Sequence, residues 1–260
     1  MRTGDRPSAS ALPLAGRTAL VTGGARGIGA AIAHKLGAAG CDVAVLYYNS
    51  HAAAEVVCAA LRACGRRALA VQADVADPDG VAAAAARVRD ALGPVHLAIS
   101  NAASGVLRPA EQLTRKHWRW CLETNALALH SLAVALAPHM PRGGRLVALS
   151  SLGAARALPD YAFVGASKAA LEALVRSLAV ELGGRGITVN AVQAGVVDTD
   201  ALRAFPQRQA LLDGFAARAP LGGPLAPAQV ADAVYLLCLP EAAMISGQTL
   251  VVDGGYAIAG

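Results

Sequence analysis

Seven short apolar runs, each separated from the next by a helix-length stretch, restrict this chain more than any other feature. The runs are Arg17–Thr22, Asp42–Tyr47, Ala68–Ala73, Val95–Ser100, Arg145–Ser150, Ile187–Gln193 and Thr249–Val252. Helical patterns fill the intervals: from the first glycine-rich turn through Ala39, then His51–Cys64, Pro78–Leu92, Thr114–Ala137, Tyr161–Leu182, Asp200–Ala217 and Pro227–Leu239. Strands alternating with helices of this length build βαβ units, whose parallel sheet is covered on both faces. Right-handed crossovers then leave an α/β architecture: a single-domain, Rossmann-type, doubly wound parallel sheet flanked by helices. Of the 260 residues, 55% are apolar, enough for the large core that such a sheet needs. One domain is expected over residues 14–260. Met1–Pro13, rich in Ser, Pro and Gly, reads as a mobile N-terminal tail.

Charge and composition narrow the function. The net charge is +5, yet basic residues never run beyond a pair, which argues against a nucleic-acid partner and allows a modest bias toward anionic substrates. Five cysteines form no C-x-x-C pair and read as reduced, buried residues of a cytoplasmic protein. The six histidines show no metal-ligand spacing, so no metal is expected. No stretch of eighteen uninterrupted apolar residues occurs, so no membrane partner is expected.

A glycine-rich turn, Thr22-Gly23-Gly24-Ala25-Arg26-Gly27-Ile28-Gly29, lies between the first strand and the first helix. Glycines there let backbone N–H groups and a helix N-terminus approach a pyrophosphate, which makes Gly23, Gly27, Ile28 and Gly29 candidate dinucleotide contacts. The second strand ends in Tyr47-Tyr48-Asn49-Ser50, without an acid to bind a ribose 2′-hydroxyl. Arg26, helped by Asn49 and Ser50, can meet a 2′-phosphate instead, which favours NADPH over NADH. Asp74-Val75 follows the third strand, where a carboxylate can accept from the adenine amino group. Asp74 can equally cap the next helix, although Asp77 is the better cap. Asn101-Ala102-Ala103, at the end of the fourth strand, leaves room for the ribose and nicotinamide.

The proton-handling candidates follow the fifth strand. A hydroxyl pair, Ser150-Ser151, precedes Tyr161, and Lys168 comes seven residues after the tyrosine. Lys168 is one of only three lysines among 23 basic residues. A compact ammonium whose pKa can move suits a site better than a fixed guanidinium. Seven residues make nearly two helical turns, so the tyrosine and lysine would share a face roughly 10 Å apart along the axis. A sugar hydroxyl pair between them would touch both. Asn125, inside an apolar helical pattern, either bonds locally to its own backbone or orders a water behind Lys168.

These residues together resemble the short-chain dehydrogenase/reductase superfamily. The likeness spans nearly the whole chain: T-G-x-x-x-G-x-G at Thr22–Gly29, Asp74-Val75, Asn101-Ala102-Ala103, Asn125, Ser151 seventeen residues before Lys168, Asn190-Ala191-Val192 and Val252-Asp253-Gly254-Gly255. An ordinary member has its tyrosine four residues before the lysine, where this chain has Val164. The seven-residue spacing instead resembles the FabL-type enoyl-acyl-carrier-protein reductases. Arg156, Ala157 and Leu158 stand where many enoyl reductases carry a second tyrosine, and Ala194-Gly195 replaces the usual Pro-Gly.

The resemblance implies NADPH-dependent reduction of a 2-enoyl thioester, linked to acyl carrier protein or coenzyme A, in fatty-acid or polyketide-type biosynthesis. It implies catalytic roles for Tyr161 and Lys168, and a water ordered by Asn125. Ser151 either assists the carbonyl or only shapes the pocket. Further cofactor contacts are implied at Gly195, Val197 and Thr199, as are a substrate-covering segment over residues 198–221 and a homotetramer. Within that cover Leu202, Phe205, Leu211, Leu212 and Phe215 form either an acyl-chain wall or ordinary amphipathic packing. Arg203, Arg208 and Arg218 are candidates for a carrier's anionic groups. Two other readings stand beside this one: a carbonyl or imine reductase for a specialised metabolite, and an NADP-binding regulator without turnover.

Overall fold

The computed structural model describes residues 12–199, 202 and 208–259. Its strands are β1 (Thr18–Thr22), β2 (Asp42–Tyr47), β3 (Ala68–Gln72), β4 (Leu97–Ser100), β5 (Arg145–Ser151), β6 (Thr188–Ala194) and β7 (Thr249–Val252). They form one sheet in the order β3-β2-β1-β4-β5-β6-β7, and all neighbours run parallel. The doubly wound expectation holds. Strand ends differ from the sequence reading by at most two residues.

Helices α1 (Gly27–Ala38), α2 (His51–Ala63), α7 (Arg208–Arg218) and α8 (Pro227–Cys238) belong to one face. Ile32, Leu36, Val57, Leu61, Phe215 and Val234 enter the apolar cluster there. Helices α3 (Pro78–Leu92), α5 (Ala128–Leu136) and α6 (Ala162–Gly183) cover the other face, through Val88, Leu129, Leu132, Leu171 and Val175. Helix α3 starts as its sequence dictates. Asp77 accepts from the Asp79 backbone N–H at 3.1 Å, and Pro78 takes the first helical position, where a missing N–H costs nothing.

Two expected helices need correction. The continuous helix over Thr114–Ala137 is instead α4 (Arg115–Leu122), a π-helical segment Glu123–Leu127, and then α5. A π turn carries one extra residue per turn and re-aims side chains locally. Arg115–His139 has the length and apolarity of a membrane span, but most of it is buried, and α5 and the π segment pack on α3 and α6, which is the environment of a core helix. The expected helix from Tyr161 begins at Ala162, with Tyr161 as its N-cap residue.

Other expectations fall partly outside the described residues: most of the tail Met1–Pro13, the start of the Asp200–Ala217 helix, and Arg203 and Phe205. Phe215, a candidate for an acyl-chain wall, packs into the core instead, and Leu212 is buried. Phe215 stacks on Tyr256 with ring centroids 4.9 Å apart.

Candidate active site

The strand order reverses direction between β1 and β4, and the candidate residues gather at the carboxyl ends of the strands around that point, where open parallel sheets form their clefts. The glycine turn is held there by its neighbours. Thr22 Oγ1 accepts from the backbone N–H groups of Asn101 and Ala102 at 2.9 and 3.0 Å. The Asn101 amide donates to the carbonyls of Thr22 and Gly23 at 2.9 and 3.2 Å. Asn101, expected to touch the cofactor, therefore spends its side chain on shaping the glycine turn. A Cβ on Gly29 would overlap the Gly23 carbonyl oxygen and stand 2.6 Å from the Asn101 amide nitrogen. Only glycine fits that position.

Gly27 differs. Its φ of +54° is left-handed, and the nearest atom to a Cβ built there belongs to Thr199, at 3.6 Å. The N-terminus of α1 thus faces a slot with Thr199 across it. Arg26 is the N-cap residue of α1 and is exposed. The glycine turn is tied to β2 through Gly24, whose N–H donates to the Leu46 carbonyl at 3.2 Å. Asn49 and Ser50 follow β2, with the Ser50 hydroxyl donating to Asn49 Oδ1 at 3.3 Å. Asp74 uses one carboxylate oxygen to accept from the Ala76 N–H at 2.9 Å, a turn of its own. Val75 is buried beside it. This cradle fits a dinucleotide: a tight glycine turn, a helix N-terminus open toward a slot, an exposed cation at that helix's N-cap, and a neighbouring strand that ends without an acid.

The second half of the site is built by the last three residues of β5. Leu149 offers its carbonyl to Lys168 Nζ at 2.7 Å. Ser150 donates from its hydroxyl to Glu172 Oε1 at 2.5 Å. Ser151 Oγ accepts from the Tyr161 hydroxyl at 3.1 Å. The Tyr161–Ser151 pairing was not legible from helical geometry, because Tyr161 precedes the helix. Asp160, just before it, has a φ of +59°, a left-handed conformation that Asp tolerates better than most residues. That turn delivers the tyrosine onto the end of β5. Its ring lies on Gly153, where a Cβ would overlap the ring carbons.

Val164, four residues before Lys168, is buried against Gly105 and leaves that glycine no room for a side chain. Ala102, Ala103 and Ser104 lead into the same loop after β4. The Asn125 amide donates to the Ser104 carbonyl and to Ser167 Oγ, both at 2.9 Å, and its Oδ1 accepts from the Ser104 N–H at 2.8 Å. Ser167 in turn donates to the Val164 carbonyl at 2.7 Å. Both amide donors of Asn125 are engaged, so its side chain fastens the β4 loop to α6.

Burial sets the proton affinities. It pushes the Tyr161 phenol above its ordinary value, the Ser151 hydrogen bond acts against that rise, and Cys121 adds to it. Burial lowers the Lys168 ammonium to about 8, and Glu172 opposes the fall. The sequence reading missed Glu172, Cys121 and the Ser104–Asn125–Ser167 network. The one available signal was an acid one helical turn after the lysine.

The enoyl-(acyl carrier protein) reductase family matches this sequence over residues 23–257. A short-chain dehydrogenase from Burkholderia cenocepacia, solved in complex with NADP, is 40% identical and superimposes with a TM-score of 0.89, covering 95% of this chain and 100% of that one. The chain belongs to the short-chain dehydrogenase/reductase superfamily. It is an oxidoreductase of that kind. Among the curated short-chain reductases it resembles, a 1-cyclohexenylcarbonyl-CoA reductase of Streptomyces collinus is 38% identical over 248 residues, 93% of this chain and 87% of that protein. A hydroxynaphthalene reductase of Aspergillus fumigatus is 33% identical and covers 91% of each chain.

Proposed function

We propose that this short-chain reductase uses NADPH to reduce the carbon–carbon double bond of a 2-enoyl thioester. One observation carries the reading: Tyr161 enters from the helix cap and reaches Ser151 Oγ at 3.1 Å, while the position four before Lys168 is a buried valine. The cradle supports the cofactor, with Gly27, Gly29 and Thr199 around the pyrophosphate and Arg26, Asn49 and Ser50 at a 2′-phosphate. The Streptomyces relative, named for a CoA-thioester substrate, supports coenzyme A over acyl carrier protein as the carrier.

When bound, NADPH supplies the hydride that adds at the β-carbon of the substrate. The double-bond electrons then move toward the carbonyl, and negative charge gathers on the thioester oxygen. Tyr161 turns its single proton from Ser151 to that oxygen, and the Ser151 hydroxyl then donates to the phenol oxygen and holds it in place. Donors already aimed at developing charge give the largest catalytic contributions. An ammonium carries three donors. Lys168 commits one to Leu149 and keeps two for the ribose hydroxyls of the nicotinamide nucleotide. A proton delivered to the α-carbon completes the saturated thioester.

A ketone reductase for an aromatic polyketide-type metabolite is the second reading. The Aspergillus relative's name favours it. Incubating the protein with NADPH and matched panels of 2-enoyl-CoA thioesters and aromatic ketones separates the two, read by loss of NADPH absorbance. Enoyl turnover is expected, reduced on the order of 100-fold or more in Tyr161→Phe with NADPH affinity nearly unchanged. Ketone turnover without enoyl turnover would replace the first reading by the second.

A further inference from the structure

Glu172 has no part in the chemistry above, yet it is fixed to the site. It lies four residues after Lys168 on α6, so the two side chains are neighbours on the helix surface. They do not form a direct ion pair. The Lys168 ammonium goes to the Leu149 carbonyl at 2.7 Å, and the carboxylate goes to the hydroxyl of the next residue, Ser150, at 2.5 Å. A hydroxyl donating to a carboxylate makes a bond of this short kind. Two consecutive residues of β5 therefore hold a cation and an anion side by side. The serine pair is divided: Ser151 serves Tyr161, and Ser150 serves Glu172.

The surroundings make the carboxylate matter. Lys168 is buried, and an ammonium removed from water is strongly disfavoured unless something compensates it. Of the elements packed on α6, α4 carries Arg115, Lys116 and Arg119 and the π segment carries Glu123, all exposed. β5 presents the Leu149 carbonyl, Ser150 and Ser151, and β6 presents Gln193, while Asn190 points to the other face and bonds to Ile245 and Gln248. Helix α4 presents Cys121, and the π segment presents Thr124 and Asn125, while Tyr161 stands at the cap. Cys121 and Tyr161 are the titratable groups among these, and burial raises both, which keeps them neutral. Among the described residues, Glu172 is the opposite charge that acts on the ammonium.

We propose that Glu172, anchored by Ser150, is the positioning residue that keeps Lys168 protonated and turned toward the end of β5. The inference rests on the reading that Lys168 works as an ammonium toward the bound nucleotide, but its test needs no substrate. The chain has three lysines, Lys35, Lys116 and Lys168. Lysine labelled with carbon-13 at Cε therefore gives three resolved signals, and the Lys168 signal is the one missing from Lys168→Arg.

In the full chain, Glu172→Gln should lower the Lys168 titration midpoint by about 1 pH unit, the effect of removing one nearby opposite charge. Glu172→Asp should restore part of it. Ser150→Ala should shift it the same way as Glu172→Gln by a smaller amount, and that variant decides the matter if Glu172→Gln fails to fold. With turnover as a second readout, the alkaline limb of kcat/KM should move to lower pH in Glu172→Gln, with activity recovering toward wild type near pH 6. A Lys168 midpoint unchanged in folded Glu172→Gln, or in Ser150→Ala when that variant decides, overturns the inference. So does a loss of activity equal at every pH. A shifted midpoint in a protein that reduces no enoyl thioester would leave the inference standing and refute the proposed substrate instead.

Discussion

Replacing Lys168 by Met should make the protein more stable and inactive at once. The substitution keeps the length of the side chain and removes the charge. An ordinary lysine titrates at 10.5 and this buried one at about 8, a difference worth about 3 kcal/mol against the folded state wherever both folded and unfolded lysines are protonated. The variant also loses the hydrogen bond to the Leu149 carbonyl, about 1 kcal/mol. The net expectation at pH 7 is a gain of about 2 kcal/mol. The sign against pH follows from proton counting. Below pH 8 both states of the wild type hold the proton and the penalty is complete. Between about 8 and 10.5 the unfolded chain binds more proton than the folded one, so wild-type stability rises with pH. The advantage of Met should therefore shrink by about 2 kcal/mol by pH 9.5. Urea unfolding of both proteins at pH 7 and 9.5 measures it. A Met variant less stable than wild type by the same amount at both values would refute the reasoning, since burial would then not be acting on the ammonium.

Arg26→Ala should weaken NADPH by about 10- to 100-fold, the loss of one charge-assisted contact, and leave NADH almost unchanged, as judged by fluorescence titration. Gly29→Ala should abolish nucleotide binding, because its methyl would overlap the Gly23 backbone; binding at wild-type strength would show that the turn is more yielding than its packing implies. Val164→Tyr should not rescue enoyl turnover in Tyr161→Phe, since the new phenol arises about a helical turn after Tyr161, too late for the thioester oxygen; kinetics of the double variant check this. Leu250 and Val251, on the edge strand β7, are 38% and 46% exposed, and we expect a homotetramer of the 26.2 kDa chain, which light scattering tests.

The sheet was legible because alternation and crossover handedness leave few arrangements for seven buried runs. What the sequence hid has a common cause: contacts made by residues far apart in the chain. Apolar residues flank Glu123–Leu127 on both sides at helical spacing, so nothing local marks the π turn that points Asn125 at Ser104 and Ser167. Helical periodicity put Tyr161 on the lysine's helix, while the left-handed Asp160 places it just ahead of that helix. Glu172 looks like any acid on an exposed helical face until Ser150 is seen beneath it.

Because Tyr161 caps α6 instead of sitting within it, the phenol and the ammonium ride on separable parts. Lys168 is bolted to the helix, whereas the tyrosine is aimed by the connection Leu152–Asp160 and by the floor that Gly153 gives its ring. A tyrosine inside the helix would keep one angle to the lysine in every descendant of the fold. Here the tyrosine is tied to the helix through its carbonyl, which accepts from the Gly165 N–H at 2.7 Å, so a connection of another length would re-aim the phenol at the helix end while Lys168 keeps its bond to Leu149. Grafting that single segment between relatives is thus a route to new substrates, and one along which such reductases can diverge.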